Sequence, residues 1–122
     1  MPDSDTTIAE LRKLVNDFVD RRDWHQFHSP KNLSMSLAIE AGELMEHFQW
    51  ISMEQSRRVA DDPDRLTRVA EELADVLCYA LALANELQLD VSTTLREKME
   101  KNERKYPAEE FRGRYGVDDV GE

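Results

Sequence analysis

The sequence predicts an all-α domain, and three observations carry that expectation. Ala, Leu, Glu, Lys and Arg dominate its 122 residues while glycine is held to four, a composition that favours helices over strands. Apolar residues recur at spacings of three and four, and no stretch alternates as a strand would. Each periodic run also opens on a residue suited to cap a helix: Thr7, Ser29, Asp62 and Asp90. The length suits one domain with its own core.

The first helix is expected from about Thr7 to Arg22. Thr7 and Glu10 have capping-box spacing, and Ile8, Leu11, Leu14, Val15 and Phe18 share one face. The ring-rich segment DWHQFHSP, Asp23 to Pro30, breaks the pattern and reads as a loop. Ser29 as N-cap and Pro30 at the first helical position start a second helix, with Leu33, Leu37, Ala41, Leu44, Met45 and Phe48 as its apolar stripe. Ser52 and Gln55 cap a short helix to about Ala60. Asp62 and Pro63 restart the chain for a third long helix to about Leu87. That helix is apolar on most faces (Val69, Leu73, Val76, Leu77, Ala80, Leu81 and Ala84, extended by Tyr79 and Leu83), which suits a central position or a subunit interface. Cys78 lies in this run and reads as a small core residue; a single cysteine excludes an intrachain disulfide. Asp90 caps a fourth long helix, about Val91 to Tyr106, ended by Pro107. The sum is a four-helix arrangement over residues 1–107. Residues 108–122, with Gly113, Gly116, Gly121 and mixed charge, are expected to be a poorly ordered tail.

Sixteen basic against twenty-six acidic residues leave a formal charge of -10. So acidic a surface argues against nucleic-acid polymers and anionic membranes as partners, because both need a basic face. A phosphate ligand is still permitted, since a bound metal reverses the local sign. The N-terminal MPDSDTTIAE has neither the charged nor the apolar region of a signal peptide, and no apolar run is long enough to span a bilayer. A soluble cytoplasmic protein is expected.

Two acidic pairs carry the chemistry: Glu40-x-x-Glu43 in EAGELMEHFQW and Glu72-x-x-Asp75 in EELADVL. Residues three apart share a helix face, so each pair sets two carboxylates side by side next to an apolar stripe. Like charges brought out of water are costly unless a cation lies between them. All-oxygen ligands point to a hard ion such as Mg²⁺, with Mn²⁺ able to substitute. The bland alternative is a solvated acidic face, which a single pair in so acidic a chain would suggest. Two pairs, each flanked by Leu and Ala, favour a site with the second and third helices antiparallel and four carboxylates convergent. Glu46 extends the first row by a turn, whereas Glu54 and Glu71 read as surface. A di-iron carboxylate site requires Glu-x-x-His, and none of His25, His28 or His47 is preceded by Glu at that spacing.

Beyond the pairs, WHQFHSPKNLSMSLAIEAGELMEHFQW, EELADVLCYALALA and KMEKNERKYP resemble the all-α nucleoside triphosphate pyrophosphohydrolases, the MazG-like superfamily, and within it the dCTP pyrophosphatase branch. The resemblance covers roughly Ile8 to Pro107. It implies a MazG-like helical bundle that assembles as a dimer or a tetramer, with sites near subunit interfaces. The implied activity is Mg²⁺-dependent hydrolysis of a (deoxy)nucleoside triphosphate, dCTP or a modified dCTP, to the monophosphate and pyrophosphate. It makes Glu40, Glu43, Glu72 and Asp75 the metal ligands, with Glu43 or Glu40 serving the attacking water. The same resemblance turns Lys98, Asn102, Lys105 and Tyr106 from a solvated stripe into a phosphate clamp. Trp24 and Trp50 become a stacking wall for the base rather than core packing. Asn32 would read base edges or hold the neighbouring loop, Tyr79 would stack on the sugar or pack in the core, and His28 would fix the loop by a hydrogen bond or join the site; His25 and His47 read as surface. The alternatives are another substrate, such as dUTP or a phosphoribosyl nucleotide, and a non-catalytic helical interaction module.

Overall fold

The computed structural model describes residues 1–114, and every element among them is helical. The chain divides into two compact units, Met1–Leu89 and a second beginning at Asp90.

The first unit contains α1 (Ile8–Arg21), α2 (Pro30–Glu46), the short α3 (Met53–Arg57) and α4 (Pro63–Leu87). The expected caps form. Thr7 accepts the Glu10 N–H, Ser29 that of Asn32, and Asp62 those of Asp64 and Arg65. Ser52 and Gln55 exchange both bonds of a capping box. Each such side chain satisfies a backbone donor that the first helical turn leaves orphaned.

Helix α1 ends in a left-handed turn. Asp23 has φ 54°, and the Trp24 N–H reaches back to the Val19 carbonyl at 3.1 Å. Aspartate tolerates this conformation better than most residues. The Trp24 ring then lies edge-on to Phe18, centroids 5.7 Å apart, with the Arg22 guanidinium 3.7 Å above the Phe18 ring. This termination therefore orients Trp24 at the mouth of the following loop. Helix α4 ends the same way, with Gln88 at φ 54° and the Leu89 N–H bonded to the Ala84 carbonyl at 3.0 Å.

The central element is α4, which packs on α1 and on α2. Its pairing with α2 is antiparallel: Arg65 donates to the His47 carbonyl at 3.2 Å, Glu72 meets Glu40 and Glu43, and Tyr79 shares a hollow with Ser36 and Asn32. Toward α1, Arg12 Nε donates to Asn85 Oδ1 at 2.9 Å and Asn85 Nδ2 returns a bond to the Arg12 carbonyl at 3.1 Å. Leu33, only 1% exposed, anchors a small core with Val19, Val59, Ala82 and Ala84.

Two sequence expectations are corrected in this unit. The innermost residue of α1 is Val19, not one of the residues assigned to its stripe, and Leu14 and Phe18 of that stripe are exposed. The face toward α4 follows the row Leu11, Val15, Val19, four residues apart, so the apolar arc is wider than the contact. Cys78 is exposed rather than core. The arc of α4 is likewise wider than α1 and α2 cover, leaving Leu73 47% and Leu77 55% exposed.

In the second unit, Asp90 accepts the Thr93 N–H at 3.0 Å and starts α5 (Val91–Lys105). A further short helix, α6 (Ala108–Phe111), forms inside the segment expected to be tail, with Phe111 edge-on to Tyr106 at 5.2 Å. Gly113 takes φ 74°, and Gly116 and Gly121 lie outside the described residues.

Candidate functional site

The pairing of α2 with α4 joins the acidic pairs. Glu40, Glu43 and Glu72 each offer one carboxylate oxygen, all within 4.8 Å of one another. Glu40 and Glu72 are half-buried, and Oε2 of each is shielded from solvent with no hydrogen-bond partner. Glu43 is the exposed member. Asp75 stands outside this trio, but its charge acts on both Glu40 and Glu72.

The electrostatics follow from that crowding. The Glu40 carboxyl is pushed up to about 7, first by burial, then by the close carboxyl of Glu43, then by the charges of Asp75 and Glu72. Burial also raises Glu72, followed by Glu43 and Asp75, while His47 pulls the other way. An orphaned, shielded carboxylate oxygen is costly, and two within one cluster of like charge are more so. The donor set is all oxygen and acceptor-only. It fits a hard divalent cation, and the residues placed to hold one are Glu40, Glu43 and Glu72, with Asp75 adjacent.

Next to the carboxylates is a cavity of about 260 Å³ lined by Phe18, Trp24, His28, Asp75, Cys78 and Tyr79, among others. A second, more open hollow of about 370 Å³ is lined by Phe27, Asn32, Ser36 and Ile39. His28 and Tyr79 border both, so they form the partition between them. His28 Nδ1 is shielded and unpartnered. Burial raises the Tyr79 hydroxyl, and the nearby Glu40 adds to the shift. Burial likewise raises the Cys78 thiol, and Asp75 adds to it. Asn32 holds the loop, its amide donating to the Phe27 carbonyl at 3.0 Å.

Of the residues singled out from sequence, Glu40, Glu43, Glu72, Asp75, Trp24, His28, Asn32 and Tyr79 are thus brought together in the first unit. Trp50 is 87% exposed on the turn after α2 and lines neither hollow. Lys98, Asn102, Lys105 and Tyr106 belong to the second unit. There Asn102 donates to the Met99 sulfur at 3.7 Å, and the Lys105 ammonium lies 5.3 Å from the Tyr106 ring centre. Sequence reasoning read His47 as surface, Cys78 as core and Phe18 as part of the α1 apolar face, and assigned none of them to the site. His47 had a readable signal, because it follows Glu43 by four residues and so shares its face. The others become wall residues only once α1 and α4 are packed.

A family profile, that of the MazG-like family, matches residues 35–115, more than half of the chain. The chain belongs to the MazG-like family. Two similar proteins are dCTP pyrophosphatase 1 of Bos taurus, 40% identical over 90% of this chain and 65% of the relative, and dCTP pyrophosphatase 1 of Homo sapiens, 40% identical over 84% and 60%. This chain therefore spans under two thirds of the length of either mammalian relative. Among solved structures it is similar to a pyrophosphatase from Archaeoglobus fulgidus, at TM-score 0.76 and 42% identity over 82% of this chain and 92% of that one. Membership of the MazG-like family agrees with the helical architecture and with the resemblance carried by both acidic pairs. The matched residues include those pairs and all of α5.

Proposed function

We propose that this MazG-like chain is a nucleoside triphosphate pyrophosphohydrolase, converting dCTP or a modified dCTP to the monophosphate and pyrophosphate with Mg²⁺ as cofactor. The observation that carries the proposal is the trio Glu40, Glu43 and Glu72, with two shielded and unpartnered oxygens, set against a ring-walled cavity. The similarity to proteins named dCTP pyrophosphatase 1 supports the choice of substrate.

The proposed roles are these. Glu40, Glu43 and Glu72, with Asp75 adjacent, would hold the cation, which would neutralise phosphate charge and acidify coordinated water. Glu43, the solvent-facing member, orients the attacking water and accepts its proton, with Glu40 beside it. Trp24 and Tyr79 flank the base and sugar in the cavity, and His28 and Asn32 supply polar contacts from the loop and the start of α2. By the family resemblance, Lys98, Asn102 and Lys105 of α5, with Tyr106 at its C-cap, are assigned to the phosphates, the charge that an acidic chain must otherwise repel. Exposed apolar residues of α2 and α4, among them Ile39, Leu73 and Leu77, support a homo-oligomer, and the exposed Trp50 would face a second copy. A cytoplasmic location is part of this proposal; no helix of the described residues is long and apolar enough to cross a membrane.

The test is turnover of a panel of canonical and modified (deoxy)nucleoside triphosphates with Mg²⁺, the products resolved as monophosphate plus pyrophosphate or diphosphate plus phosphate. Monophosphate and pyrophosphate, strongest from a deoxycytidine nucleotide and lost in Glu43→Gln, is the expected result. Preference for dUTP would move the substrate assignment, and no turnover at all would favour a helical interaction module.

A further inference from the structure

The loop between α1 and α2 carries Trp24 and His28, which wall the cavity, yet most of its bonds are local. The Trp24 N–H goes to Val19, the Phe27 N–H to Trp24, the His28 N–H to His25, and the Gln26 amide to Asp23. Such bonds shape the loop without fixing where it lies against α4. Among the described residues, one side-chain hydrogen bond joins the loop to α4: His25 Nδ1 to Glu86 Oε1, 2.6 Å apart and spanning 61 positions of sequence. An ionised carboxylate only accepts, so the imidazole donates from Nδ1. On the other side of the ring, Asp20 Oδ1 of α1 lies 3.6 Å from Nε2. The imidazole is therefore held between carboxylates of α1 and α4, where the ring-bearing loop leaves α1.

We propose that His25 is a positioning residue for the nucleotide cavity, and that its bond to Glu86 sets the loop so that Trp24 and His28 stand where a base would be received. This rests on the nucleotide-binding reading above. His25 itself lines neither hollow and touches no reacting group; it acts through the residues on either side of it. The bond is partly exposed, with His25 and Glu86 side chains 39% and 24% accessible, so its loss shifts the loop's equilibrium by about three- to tenfold rather than unfolding the protein.

Two measurements on His25→Ala, Glu86→Ala, the double variant and His25→Asn test this. Asparagine keeps an N–H donor near the position of Nδ1. The first measurement is amide hydrogen exchange of Trp24, Phe27 and His28 against the amides of α4, which needs no catalysis. The second is kcat and KM for dCTP with Mg²⁺. We expect faster loop exchange in both alanine variants with α4 unchanged, a KM raised about three- to tenfold with kcat within about twofold, no further loss in the double variant, and His25→Asn close to the parent. Unchanged loop exchange in His25→Ala, exchange rising equally throughout α4, or His25→Asn as damaged as His25→Ala would overturn the proposal. If the protein turns over no nucleotide, the exchange measurement still decides: faster loop exchange upholds the tether while the enzymatic reading fails.

Discussion

Glu40 has one carboxylate oxygen shielded and unpartnered, with Glu43, Glu72 and Asp75 close by. In the metal-free protein its carboxyl rises from 4.5 to about 7, so folding takes up a proton between those values. The folded chain then binds more protons than the unfolded one, and stability falls as pH rises through that window. A metal-free melting series should therefore lose Tm between about pH 5 and 7 relative to Glu40→Gln, which keeps a neutral side chain of the same shape. A parallel slope in parent and variant would place the titration elsewhere. Because ligation requires the deprotonated form, Mg²⁺ should bind more weakly at pH 5.5 than at pH 8, and saturating Mg²⁺ should raise Tm at the higher pH. Calorimetric titration at the two pH values measures this directly. Glu43 is exposed, so Glu43→Gln should preserve the fold while lowering kcat by about 10² or more, the size of a lost general base. Near-normal turnover in that variant would remove Glu43 from the chemistry.

At the scale of elements, the helix boundaries depend on caps and terminations that can be tested one at a time. Asp62 caps α4, the helix on which Glu72, Asp75 and Tyr79 are mounted. Asp62→Ala should cost about 1 kcal/mol, read as a lower denaturant midpoint with an unchanged slope. Asp23 at φ 54° ends α1. Asp23→Gly should be neutral or mildly stabilising and Asp23→Val destabilising by about 1–2 kcal/mol, since a branched side chain resists the left-handed conformation. These elements were legible from sequence because capping is local: Thr7, Ser29, Ser52, Asp62 and Asp90 sit within a few residues of the N–H groups they satisfy. The inward face of α1 was less legible. Ile8, Leu11, Leu14, Val15 and Phe18 form a genuine apolar arc, but α4 contacts only part of it, and Val19 rather than Leu14 is buried.

At the scale of the molecule, the buried core is small for the apolar content. Among the described residues Leu33 is the one side chain almost wholly enclosed, and Leu33→Ala should cost about 2–5 kcal/mol. Much of the remaining apolar surface, including Ile39, Leu73 and Leu77, faces outward from helices whose other sides are packed. A second copy is the partner proposed for it. Light scattering after size exclusion should give a dimer or tetramer for the parent, and Leu77→Asp should shift it toward monomer at micromolar concentration. A monomeric parent across that range would leave the apolar face to some other partner.

The helical class, the starts of the five capped helices and the two acidic pairs were determined by the sequence alone. Periodicity, capping and i, i+3 spacing are properties of a single chain segment and need no knowledge of its neighbours. The family resemblance rested on the same segments and was upheld by the match over residues 35–115. Tertiary structure decided which acids meet, since antiparallel α2 and α4 place Glu72 with Glu40 and Glu43 and leave Asp75 toward the cavity. It also decided that Cys78 and Phe18 are walls rather than core, and that His25, which looked like ordinary surface, reaches Glu86. Those outcomes depend on the relative rotation and register of packed helices, which are set by the sum of many weak contacts between distant residues and are encoded in no single stretch of sequence.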